Sequence, residues 1–423
     1  MRESVGDDKM IKQNKINLGR LYFGYLFAVL FLQIVGLNAK GTLFDTLWKA
    51  IVIITTMFIV VRRTNFLMPK YLVGAILIYI FGQILAVAYY PEVMKRVSMI
   101  TVLTNVAIVL AMVYMFLSMP YVTKVFEPAH MSSFLNGFIL LMLYAVIFNF
   151  IQSPSAVLGV FSNRNVYENM MSSFFDNKQT FGMFLFMAVM SSLLQYVREY
   201  KRRYLLLAMV FFLNLFICMS RTALFACVFF AVLLCIFLAG KKTGVPKIIS
   251  LTVFVITFVI WVVPSLRQFI TDVVLDTDRT VDARQEIWDY AFSLMKGPQL
   301  LWGYLEGNAT TVLTFGGRSN YAHNGVVQVL LTGGVLKLVL FCFVVARCIK
   351  TYFRIKKHDA VLAGVFGAIF GGVMMYSMGE SVVLFDTSAW CVVATILCVA
   401  LPCAMDAYYG RTLADRSVEG NGR

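Results

Sequence analysis

Three histidines are the only side chains of the sequence that ordinarily change charge near neutral pH: His130, His323 and His358. His323 stands in Tyr321-Ala322-His323-Asn324, where a polar stretch enters an apolar run. A helix starting there would turn its positive end towards the ring, disfavour the imidazolium and leave a neutral ring able to accept a proton. The same position suits a ring that only hydrogen-bonds a helix terminus, with Asn324 as the cap, and position alone favours neither reading. Arg221 lies in a polar tip, Ser220-Arg221, between two apolar runs. An ionisable group at or below a membrane surface is costly unless it faces protein, water or an anion, so an anionic ligand would explain it. Snorkelling to headgroup phosphates is the plainer alternative. Arg284 lies one turn before Trp288 in Arg284-Gln285-Glu286-Ile287-Trp288, where a guanidinium could meet a phosphate bidentately. On position alone, an arginine on a solvated helix face accounts for it as well. Two further polar, cationic clusters, Gly159 to Asn165 with Arg164 and Asp176 to Gly182 with Lys178, are each weak signals taken singly. Asp276-Thr277-Asp278 has the spacing of a metal-binding carboxylate pair, but no third ligand is identifiable and no metal is expected.

The elements that must carry these residues are membrane spans. The chain has 423 residues, 60% of them apolar and 14% charged. With a mean hydropathy of +0.78 it is too hydrophobic for a water-soluble globule. The reading is an all-α polytopic membrane protein, one membrane domain over residues 1–423. Apolar runs recur at about 20–37, 45–61, 71–90, 98–118, 133–152, 179–197, 204–219, 222–239, 248–264, 325–346, 361–379 and 387–405, about twelve spans. The seventh and eighth are short and share the Ser220-Arg221 tip. The first follows a charged tail and runs too long for a signal-peptide core, so it reads as an anchor.

Net charge is +15, but the basic residues sit in short loops rather than on one face of a folded module, which argues against nucleic acid. Their distribution reports orientation instead. With the N-terminus inside, cytoplasmic segments hold 24 of the 37 Lys and Arg residues, outer segments hold 12, and Lys337 falls within a span. Both termini are therefore expected in the cytoplasm. The stretches at 153–178 and 265–324, and the tip at Arg221, are expected outside. On this topology His130 and His358 fall in cytoplasmic loops. No GxxxxGK[ST] phosphate loop occurs, so a transport ATPase is excluded. The eight cysteines lie in or beside apolar runs without a CxxC pair, so neither a disulfide framework nor a zinc site is expected.

Within the long outer segment, Asp282 can cap a helix with Gln285 three positions on. The run from Ala283 to Met295 puts Ile287, Ala291, Leu294 and Met295 on one face, and Lys296-Gly297-Pro298 stops it. An amphipathic helix at the membrane surface is the expectation. Gly316-Gly317 is a turn signal on the way to His323.

The order of these motifs resembles the O-antigen ligase and polysaccharide polymerase (Wzy-type) superfamily of bacterial membrane glycosyltransferases. Asn177 to Met183 corresponds to the family's outer stretch entering a span, and Ser220-Arg221-Thr222-Ala223-Leu224 to its Ser-Arg opening of another. Arg284 to Trp288 and Pro298 to Gly303 follow in the long outer loop, and Ala322-His323-Asn324 leads to Gln328, Gly333 and Gly334. The resemblance covers roughly Ser153 to Val345. Gln179 departs from the family where a second Asn is frequent, and Gly325 where a bulkier residue is usual.

The resemblance implies a GT-C-related fold in the bacterial cytoplasmic membrane, with an active site facing outward and no cofactor, nucleotide or metal. It implies an undecaprenyl diphosphate-linked oligosaccharide as donor and an acceptor glycan as partner within the lipid bilayer, with a chain-length regulator as a further partner. It further implies single displacement with inversion: His323 takes the proton of an acceptor hydroxyl, Arg221 and Arg284 bind the diphosphate, and Arg164 and Lys178 contribute to the same anionic site. Asn324 and Gln328 would orient His323 or the acceptor, with Trp288 in support. The form of the Asn177 to Gly182 motif points to a polymerase of surface-polysaccharide repeat units; a ligase moving finished glycan to lipid A core is the alternative. A secondary transporter shares the span count and inside termini, but its longest connection would be expected inside.

Overall fold

The computed structural model describes residues 18–39, 47, 49–55, 70–89, 99–117, 120–121, 127–154, 172–175, 177–218, 220–241, 243–262, 278–305, 313–315, 318–319, 321–386 and 388–420. Arg164, Asp276, Thr277, Gly316 and Gly317 lie outside them. Among the described residues the strands are confined to one short hairpin, β1 (Thr314–Phe315) with β2 (Arg318–Ser319), and the rest is helix joined by turns. In order the helices are α1 (Leu18–Ala39), α2 (Lys70–Tyr89), α3 (Met99–Leu117), α4 (Pro128–Gln152), α5 (Lys178–Glu199), α6 (Arg202–Cys218), α7 (Arg221–Leu238) and α8 (Val245–Val262). There follow α9 (Asp278–Leu294), α10 (Pro298–Trp302), α11 (Gly325–Lys356), α12 (Ala360–Gly379), α13 (Ala389–Thr395) and α14 (Leu401–Gly420), the last two joined through a π-helical turn at Ile396–Ala400. Among the described residues, six helices are long and apolar enough to cross a membrane: α4, α5, α7, α11, α12 and the continuous Ala389–Thr412. The protein is an all-α polytopic membrane protein.

Two of these spans, α5 and Ala389–Thr412, are buried inside the protein along nearly their whole length. Helix α5 is buried along nearly its whole length, including the polar Ser191, Ser192 and Gln195, each at 0% exposure. Its partners are α6, which folds back after Tyr200 closes α5 in the left-handed conformation, and α4. Helix α12 packs along α7 through small residues. A methyl placed on Gly371 would stand 2.2 Å from Leu233 Cδ1, and one on Gly372 would stand 2.9 Å from Phe230 Cβ. Close backbone approach of this kind replaces the hydrophobic effect as a packing force where the surroundings are already apolar. It also sets the N-terminus of α7, with Arg221, beside the C-terminus of α12.

Helix α11 is broken. Gly334 takes φ 60° and ψ −159°, which divides it into a half-helix, residues 325–333, and a longer second part. The break admits the backbone of α10: a methyl on Gly334 would lie 2.4 Å from the Leu301 carbonyl carbon, and one on Gly303 would lie 2.6 Å from Gly333 N. Tyr304 N donates to Leu331 O (2.8 Å), and Gln83 Nε2 of α2 donates to Trp302 O (3.1 Å). Lys337 is buried at 6% exposure and donates to Thr332 Oγ1 (3.0 Å) across the break, so it does not snorkel.

Two expectations need correcting. Helix α9 starts at Asp278, not after Asp282. Asp282 therefore lies inside the helix and Arg284 in its second turn. The amphipathic helix expected at the membrane surface is present as α9, and its apolar residues Ala291 and Met295, with Ile287, Trp288 and Leu294 around them, pack on Ala322, Val327 and Leu331. His130 sits in the first turn of α4 rather than in a loop. It is buried, and its Nδ1 accepts from Glu127 N (3.4 Å) in a capping box.

Candidate active site

Four helix ends meet at one end of the bundle. Asn177 caps α5 by accepting from Thr180 N (2.8 Å), which puts Lys178 on the first helical position. The end of α6 and the start of α7 are packed on it: Cys218 Sγ donates to Lys178 O (3.0 Å), and a methyl on Gly182 would stand 2.4 Å from Ser220 Cβ. Lys178 and Arg221 thus lie within electrostatic reach of each other. Helix α12 arrives from the opposite direction and ends at Gly379, with Glu380 as its C-cap. A methyl on Gly379 would stand 2.7 Å from Thr222 Cγ2 and 3.5 Å from Arg284 Nη1, which places the first turn of α7 and the guanidinium of α9 on either side of that turn.

The start of α11 completes the arrangement. Asn324 caps the half-helix, its Oδ1 accepting from Val326 N (2.9 Å) and Val327 N (3.2 Å), while its Nδ2 donates to Met378 O (3.2 Å) near the end of α12. Gly325 permits that approach, since a methyl there would lie 2.0 Å from Ser377 Oγ. Preceding the cap, His323 takes φ 48°, the left-handed region, in which His is commoner than most residues. Ala322, fully buried, is held on both sides: Trp288 Nε1 donates to its carbonyl (2.7 Å), and its N donates to Gln328 Oε1 (3.4 Å). Trp288 and Gln328 therefore act on the backbone next to His323 and not on the ring.

Glu380 joins the functional candidates. Arg284 Nη2 donates to its Oε1 at 3.0 Å, and His323 Nδ1 lies 3.0 Å from its Oε2. A carboxylate paired with an arginine can only accept, so the ring proton belongs on Nδ1 and the lone pair on Nε2. Side-chain exposures of 26% for Arg284, 29% for His323 and 15% for Glu380 describe a pair of contacts sheltered from bulk water yet open on one side. Tyr376, one turn back on α12, lies within electrostatic reach of both Glu380 and Arg284 and beside Ser220.

Of the residues singled out from sequence, His323, Arg284, Trp288, Asn324 and Gln328 form one connected group. Arg221 and Lys178 stand together at the adjoining ends of α7 and α5. Arg164 falls outside the described residues. Among the described residues no group of three or more His, Cys, Asp or Glu side chains could hold a metal. Glu380 escaped the sequence reading. The available signal was its position at the end of a span on the same expected side as His323, four residues after Tyr376.

What this end of the molecule offers chemically is a base with a fixed tautomer, a half-open guanidinium, and two further cations at helix N-termini. Such termini favour anions through their dipoles and unpaired N–H groups. A comparison with curated proteins gave no match. The family model described as O-antigen ligase matches residues 204–342, a stretch that contains Arg221, Arg284 to Trp288, Pro298 to Gly303, Ala322 to Asn324, Gln328 and the Gly333-Gly334 break. The resemblance carried by the motifs is thereby supported over that stretch, which is similar to the O-antigen ligase family, within a multi-pass membrane protein.

Proposed function

We propose that the protein is a metal-independent inverting glycosyltransferase that polymerises repeat units of a surface polysaccharide. It would take glycan from an undecaprenyl diphosphate donor at the outer face of the bacterial cytoplasmic membrane. The carrying observation is the pair of contacts on Glu380, which ties a histidine with a free Nε2 to an arginine beside two further cations. In this scheme His323 Nε2 takes the proton of the acceptor hydroxyl as its oxygen attacks the anomeric carbon. The bond from that carbon to the diphosphate oxygen breaks, and the lipid diphosphate leaves with its electron pair. Arg221 and Arg284 bind and neutralise the diphosphate, with Lys178 and Arg164 contributing charge, in the manner of preorganised groups aimed at developing charge. Arg284 offers five N–H donors, so Glu380 can hold Nη2 while other donors face the substrate. Glu380 supports the protonated ring as it forms, the part an acidic orienter plays in a catalytic triad.

The family model's own description favours a second reading, in which the finished glycan is moved to lipid A core or another acceptor. The two are separated by the lipid-linked material left in cells lacking the protein. Single repeat units on the lipid carrier indicate a polymerase, and long untransferred chains indicate a ligase. For either, His323→Ala protein that reaches the membrane in normal amounts is expected to lose transfer; full activity would remove His323 from the scheme.

A further inference from the structure

Thr332, Lys337 and Gln328 are more than nine-tenths buried, at 4%, 6% and 7% exposure. A buried cation in a membrane-spanning helix is costly unless partners compensate for it. Here the compensation is the break itself. The half-helix 325–333 ends in carbonyls that the interrupted ladder leaves without their usual donors, the negative end of its dipole. Lys337 Nζ donates to Thr332 Oγ1 (3.0 Å), and the hydroxyl in turn donates towards Gln328 O (2.9 Å), with Val329 O at 3.2 Å. Gln328 then reaches the other way along the half-helix, its Oε1 accepting from Ala322 N (3.4 Å), the residue before His323. The lysine stem has no room to wander: a methyl on Gly333 would stand 2.5 Å from Lys337 Cβ and 2.8 Å from Tyr79 Cε2. Polar contacts thus run from an ammonium inside the span to the Gln328 carbonyl, and from the Gln328 side chain to the backbone that sets the histidine, the two joined through the covalent frame of Gln328.

We propose that Lys337 is a positioning residue for the transfer reaction, acting through Thr332 and Gln328 to fix the half-helix whose far end presents His323. This rests on His323 being the base. The Lys337 and Thr332 contacts in this path end on Gln328 and not on the ring, so their removal should lower kcat and leave KM unchanged. Because they act in series, the two removals should not multiply.

The test uses full-length protein in detergent and two readouts. The first is independent of activity: diethyl pyrocarbonate labelling of His323 by mass spectrometry, with exposed His358 in the same sample as reference. Thr332→Val is expected to shift the His323-to-His358 labelling ratio by about fivefold, the equivalent of one hydrogen bond. Thr332→Ser, which keeps the hydroxyl, should stay near the wild-type ratio. Adding Lys337→Met to Thr332→Val should change nothing further. The second readout is glycan transfer, where Thr332→Val lowers kcat and Thr332→Ser restores it at constant KM. Equal behaviour of the Val and Ser variants, or multiplying effects of the two removals, overturns the proposal. Should Lys337→Met fail to fold, the two Thr332 variants carry the decision. Labelling that shifts as expected in a protein whose wild type transfers no glycan leaves the relay standing and removes the proposed reaction.

Discussion

Replacing Glu380 by glutamine keeps the shape of the side chain and removes its charge. In the native site the two carboxylate oxygens serve two donors, Arg284 Nη2 and His323 Nδ1, each at 3.0 Å. An amide has one oxygen to offer. If it stays with Arg284, its NH2 group faces the ring, and His323 must either lose the contact or turn to the other tautomer, which moves the lone pair from Nε2 to Nδ1. The lost interaction is charge-assisted and only partly solvated, since exposures are 29% for the ring and 15% for the acid. Such bonds contribute about 1.5–3 kcal/mol. Taking about 2 kcal/mol, expressed when the ring gains its proton in the transition state, kcat falls roughly thirtyfold; a changed tautomer deepens the loss to about a hundredfold or more. Because Arg284 itself is kept, donor KM should not rise. The assay is transfer from purified lipid-linked donor, with protein amounts matched and thermal melting recorded alongside. Glu380→Gln protein with kcat within about threefold of wild type would show that the Glu380 contact does not serve the reaction.

Two other substitutions probe the parts that hold the site. Trp288→Phe keeps the ring against Val327 and Leu331 but removes the donor to Ala322 O; loss of one neutral hydrogen bond, about 1 kcal/mol, is expected to slow transfer by roughly fivefold with the membrane bundle intact by circular dichroism. Gly334→Ala faces both a positive φ and a methyl 2.4 Å from the Leu301 carbonyl. It should displace α10, which normal membrane yield together with normal activity would refute.

Much of the fold was legible in the sequence because spans and caps are local matters. Apolar runs of span length fall on helices throughout the described residues, Asn177 and Asn324 cap where side-chain chemistry says they should, and Gly297 ends the outer helix region with φ 59°. What surrounds an element is less local. The apolar stripe on α9 announced a buried face but carried no information on whether lipid or protein covers it; Val327 and Leu331 do. Glu380 was missed for the same reason. Its role exists only because Gly325 lets the start of α11 reach Ser377, a contact between residues 52 positions apart that no spacing rule anticipates. The glycine pair at 333–334 stood out as a motif, yet its function, admitting the backbone at Leu301 to Gly303, needed both partners in view.

The burial of α5 also constrains how the protein is made. A chain enters the membrane from its N-terminus, so α5 arrives before α7 and α12 exist to cover it. Alone in hydrocarbon it would expose Ser191, Ser192 and Gln195, groups that lie wholly inside protein in the finished molecule. Unpaired polar groups in lipid are unfavourable. The helices within reach at that moment are α4, already inserted, whose Ser132 O and Asn136 Oδ1 accept from Gln195 Nε2, and α6, two residues behind. An α5–α6 hairpin docked on α4 already pairs Gln195, and it sets Lys178 in place before Arg221 is synthesised.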